Sequence, residues 1–66
     1  MSDLIIEKLQ EQRAVFLNSL KQLDFQLAID PTEDEIIEIE KMKISTIEEL
    51  KKIEQEIAYL SSKDSS

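Results

Sequence analysis

Residues 25–40 read FQLAIDPTEDEIIEIE. An apolar, helix-like segment runs into Asp30-Pro31, and a dense group of acids follows. Whether the chain turns back here or only bends decides the fold. Proline disfavours helical geometry in the residue before it, and it lacks the N–H that a continuing helix would use. The same residues suit the start of a new helix. Asp30 is a good N-cap and Pro31 then takes the first helical position, where no N–H is needed. Glu33 stands three residues after Asp30, the spacing of a capping box, and Thr32 with Glu35 repeats that spacing two residues later. Glu33, Asp34 and Glu35 occupy a first turn, where the helix dipole favours negative charge. These signals predict a stop and a restart. One long helix kinked at Pro31 is the competing reading.

Working outward, Ile6, Leu9, Arg13, Phe16, Leu20, Leu23 and Leu27 recur at spacings of three and four before the turn. After it, Ile36, Ile39, Lys43, Thr46, Leu50, Ile53, Ile57 and Leu60 do the same. Each set is one stripe of an amphipathic helix. The expected architecture is all-α. It is an antiparallel, coiled-coil-like hairpin with helices at about residues 3–29 and 32–61, a turn at 30–32 and a disordered tail at 62–66. A turn centred on Pro31 makes residue numbers across the pair sum to about 62. Leu23 then faces Ile39, Leu9 faces Ile53, and Phe16 meets Thr46 and Ile47. Arg13 falls in the layer of Glu49 and Leu50, while Lys43 is within reach of Asp24. On the surface of helix 2, the spacing pairs Glu38 with Lys41, and Glu48 with Lys51 and Lys52.

The composition agrees. The 66 residues include no glycine and one proline, a helix-forming balance. There is no cysteine and no histidine. That removes disulfides, the common zinc sites and the usual nucleophile–base arrangements. Without glycine there is no glycine-rich phosphate loop, and the acids lack the spacing of a calcium loop. No catalytic, cofactor-binding or metal-binding residue is assigned, and an enzyme has no positive support. The net charge of −7 carries no basic patch larger than Lys51-Lys52, against direct nucleic-acid binding and against anionic membrane. The expectation is a soluble, cytoplasmic chain.

Two helices shield only one side of each other's stripes. Ile37, Ile44 and Ile47 on helix 2, and Ala14, Leu17 and Ala28 on helix 1, form apolar shoulders beside the seam, with Phe25 and Ile29 further round near the turn. Left in water they make an apolar patch, placed by this reading at the bend end. A dimer of hairpins, closing as a four-helix bundle, covers such shoulders most simply; a different protein's helix is the other occupant. The functional reading is therefore a non-catalytic protein–protein interaction module that self-associates, such as an assembly factor, a chaperone-like protein or a complex subunit. The alternative is a small acidic regulator docking on a basic partner such as a nucleic-acid-binding protein. Candidate partner-binding residues are Phe25, Ile29, Ile37, Ile44, Glu33, Asp34 and Glu38. Asp30, Pro31, Thr32 and Glu33 are the candidate helix-cap residues.

Overall fold

A computed structural model describes residues 2–64. Helix α1 spans Ser2–Ala28 and α2 spans Glu33–Asp64. At about 1.5 Å per residue, 27 and 32 residues give rods of about 40 and 48 Å. The molecule is only 51 Å long in its Cα trace, so the helices lie side by side along nearly their whole length. The chain folds back, and the kinked single helix is ruled out.

The turn is built differently from the simplest reading of its sequence. Asp30 is not an N-cap. It has φ of 38°, in the left-handed region that few residues other than glycine enter and that aspartate tolerates better than most. It therefore serves the end of α1. The last turn of that helix tightens, with the Ile29 N–H donating to the Gln26 carbonyl at 3.3 Å. Thr32 is the N-cap of α2. Its Oγ1 accepts from the Glu35 N–H at 3.2 Å, and its own N–H donates to Glu35 Oε1 at 3.2 Å. That reciprocal pair is a complete capping box. The Ile36 N–H then donates to the Thr32 carbonyl at 2.9 Å. Glu33 becomes the first helical residue and not a box partner of Asp30. Pro31 moves one place outside the helix, where it and Ile36 occupy the two positions of a hydrophobic staple, both half-buried.

The seam follows the stripes. Leu23, Ile39, Leu50 and Ile53 are the buried core. Ile6, Leu9, Phe16, Leu20 and Leu27 of α1, and Ile36, Thr46, Ile57 and Leu60 of α2, are half-buried. Lys43 is also half-buried, whereas Arg13 is exposed. Leu9, Phe16 and Ile53 line one groove between the helices, in keeping with the register expected from a turn near Pro31. At its far end α2 continues through Ser62 and Lys63 to Asp64, past the end expected at about residue 61, so residues 62–64 are helical and not a disordered tail. No proline or glycine stands there to stop it, and Lys63 lies in the last turn, where the dipole favours a cation. Of the expected disordered tail, residues 65 and 66 lie outside the described residues.

The cap makes a direct prediction. Thr32→Ala removes one bond of the box and should cost about 1 kcal/mol, a fall in thermal midpoint of about 4–8 °C for a chain this small. Asp30→Val should cost at least as much, because a β-branched residue resists positive φ, while Asp30→Asn should be close to neutral. Circular dichroism melts at one fixed concentration give the order. If Asp30→Val melts with the parent, the turn geometry is wrong.

Candidate interaction surface

The two charged residues in the seam are both used across it. Lys43 Nζ stands 2.7 Å from Asp24 Oδ1, as its position predicts. Arg13 Nε stands 3.5 Å from Glu54 Oε1, and not beside Glu49. One geometric fact accounts for both choices. Helical side chains lean toward the N-terminus of their own helix. Arg13 therefore reaches about a turn toward the open end, where Glu54 lies, and Lys43 reaches a turn toward the bend, where Asp24 lies. Glu49 is taken instead by Lys52, at 3.5 Å, and Lys41 pairs with Glu38 at 3.7 Å. Lys52, expected beside Glu48, has Glu49 at its side, one i,i+3 step away, and the expected Glu48–Lys51 pair does not form. Thr46 brings no unsatisfied group into the seam, since its Oγ1 donates to the Met42 carbonyl at 2.8 Å. Ser19 does the same toward Val15 at 3.1 Å.

These ion pairs mark one side of the hairpin. In an antiparallel pair, equivalent heptad positions of the two helices fall on the same side of the seam, and residues seven apart share that side. Asp24 and Glu54 are equivalent, each following directly on a buried seam residue, Leu23 or Ile53. Leu17 lies one heptad before Asp24, and Ile47 one heptad before Glu54. Leu17 and Ile47 therefore sit between the two ion pairs. They remain 41% and 39% exposed. Ile44 borders a groove with Ile47, Lys43 and Glu40, and Ile37 lies one heptad before it. Four of the eight large branched apolar residues exposed among the described residues, Leu17, Ile37, Ile44 and Ile47, lie on this ion-pair side.

The other side differs. Gln12, Glu49, Lys52 and Glu56 border the groove that contains Leu9 and Phe16. Nearer the bend, Gln26, Asp34, Glu35 and Glu38 border a groove with Ile39 and Met42. Ile5, Val15, Ile29, Met42 and Tyr59 are its exposed apolar residues, spread from the open end to the bend, with Gln12, Glu49, Lys52 and Glu56 beside Val15 and Asp34, Glu35 and Glu38 beside Met42.

The candidate residues are accordingly divided. Ile37 and Ile44 lie toward the ion-pair side. Phe25 and Ile29, 67% and 59% exposed, do not join them. Phe25 is two residues from both Leu23 and Leu27, about 200° round the helix from each. It lines a separate groove with Lys21, Gln22 and Gln26 of α1 and with Ile29 just past the end of that helix. Exposed apolar surface thus lies at mid-length on the ion-pair side, around Leu17, Ile44 and Ile47, and separately near the bend, around Phe25 and Ile29. Glu33, Asp34 and Glu38 are exposed, with Glu33 and Asp34 in the first turn of α2 and Glu38 paired to Lys41. Leu17 and Ile47 were recognisable from the sequence as shoulders. That they oppose each other between two ion pairs needed the three-dimensional register.

Among the described residues, no group of three or more acids is disposed to hold a metal ion. No described helix is long and apolar enough to cross a membrane. No protein-family model matches the chain, and no curated protein or solved structure is significantly similar to it.

The exposure of the ion pairs sets their weight. Asp24 is 62% exposed and Glu54 59%, so each pair contributes at most about 1 kcal/mol. Lys43→Met keeps the apolar stem and loses the charge. It should shift stability by less than about 1 kcal/mol, whereas Leu50→Ala should cost about 2–4 kcal/mol. Urea unfolding of both variants at equal concentration checks the contrast.

Proposed function

We propose that the chain is a non-catalytic, cytoplasmic interaction module whose hairpin completes its core by associating with a second copy. The supporting observation is the surface left open. The hairpin exposes 5342 Å², against about 4,300 Å² for an ordinary compact monomer of its mass. Its radius of gyration is 15.3 Å, against about 11 Å for a compact domain of this length. No large side chain among the described residues is less than 2% exposed. The excess of about 1,000 Å² is close to what one partner contributes to a stable protein interface. A dimer would bury this surface and supply the stability that so short a chain otherwise lacks.

The second reading, an acidic regulator of a basic partner, rests on the groove near the bend. There exposed Met42 lies among Asp34, Glu35 and Glu38. Its acids have ordinary structural uses as well, since Glu35 closes the capping box and Glu38 pairs with Lys41. Self-association therefore stands first.

Light scattering over a dilution series, with circular dichroism on the same samples, tests the proposal. The expected result is twice the chain mass of 7.7 kDa at micromolar concentration, with mass and helicity falling together on dilution. A chain that stays fully helical as a monomer at high micromolar concentration would overturn it. Salt-sensitive capture of a basic protein by that monomer would then favour the second reading.

A further inference from the structure

On the basis of the self-association just proposed, we infer that two hairpins meet through the Leu17–Ile44–Ile47 side, with their bends at opposite ends. The occupant is a second copy. Two observations select this side. Four of the charges that border Leu17 and Ile47 are already paired within the chain, Lys43 with Asp24 and Arg13 with Glu54, so covering those four strands no lone charge. The opposite side presents Glu35, Glu49 and Glu56 along α2, with Lys52 beside them already paired to Glu49, and a two-fold contact there would set the remaining acids against one another.

Charge also selects the direction. Six acids and no base lie within residues 30–40. Bends at the same end would bring two such clusters together, whereas opposite ends keep them nearly a molecule's length apart. The opposite arrangement has a natural centre. A two-fold axis crossing α2 midway between Ile44 and Ile47 places Ile44 against Ile47 of the other copy. On α1, Leu17 lies at the same height and meets its own copy. The same axis is midway between Glu40 and Lys51, both of which belong to this side, Glu40 one heptad before Ile47 and Lys51 one heptad after Ile44. Neither has an ion-pair partner among the described residues of its own chain. In the dimer each Glu40 faces the Lys51 of the other copy, and the pair occurs twice.

Two sets of variants test side and direction separately, each checked for helicity by circular dichroism and for association by light scattering. Ile47→Asp, and independently the more exposed Ile44→Asp, should abolish the dimer, while Val15→Asp on the other side should leave it intact. Glu40→Lys and Lys51→Glu should each weaken association about tenfold through two repelling pairs, and the double exchange should recover most of the loss. Residues 40 and 51 lie about 16 Å apart along one helix, so rescue requires two chains. A dimer that tolerates Ile47→Asp and Ile44→Asp, or breaks at Val15→Asp, overturns the choice of side and leaves self-association standing. A dimer broken at Ile47 but without rescue in the double exchange overturns the direction alone. A monomeric parent chain overturns this inference together with the reading beneath it.

Discussion

The long faces of the hairpin depend on the reversal between Ala28 and Glu33. Four residues must stop one helix, turn the chain and begin another without glycine. Three separate devices share that work. Asp30 accepts a left-handed φ that most side chains resist. Pro31 cannot continue α1, and it stands just outside α2, where its missing N–H leaves no partner unsatisfied. Thr32 and Glu35 then satisfy each other's backbone and fix the first turn of α2. Because the connection is short, it also sets the register. A turn longer by one residue would rotate the whole stripe of α2 away from that of α1.

From that register follows the main energetic weakness. The best-buried residues, Leu23, Ile39, Leu50 and Ile53, each keep 6–7% of their surface. A third element is what normally closes such a core. Two helices in contact have no layer beyond the seam, so better packing within the hairpin cannot remove the remaining exposure. It can be removed only by something laid across a side, which is why the surface excess and the apolar side bear on the same question.

Much of this architecture was legible in the sequence. Both stripes were readable because the three–four periodicity carries no competing signal. The pairing of Lys43 with Asp24 followed from the turn position. Three features were not readable in the same way. Asp30/Glu33 and Thr32/Glu35 both satisfy the capping-box pattern, and only the backbone φ of Asp30 decides between them. The partner of Arg13 depended on the lean of a long side chain, which layer counting ignores. The grouping of the shoulders failed for a different reason. Phe25 and Ile37 are both near the bend in sequence, yet their angular positions send them to different sides. Distance along the helix had stood in for direction around it.

The polar residues of the seam bear on how association would be limited. Lys43 and Arg13 occupy positions where leucine or isoleucine would leave the stripes apolar except for Thr46. A wholly apolar stripe would accept many registers and many helices. Ion pairs at two fixed heights, with apolar residues between them, narrow those choices, because sliding by one turn would set Leu17 or Ile47 against a charge. This role for buried or half-buried polar groups is attested in coiled coils, where it trades stability for specificity. The net charge of −7 acts in the same direction. Once one apolar side is covered, the surfaces left outside include the acids of the bend and of the opposite side, and they repel further copies. A closed pair is then favoured over open-ended growth.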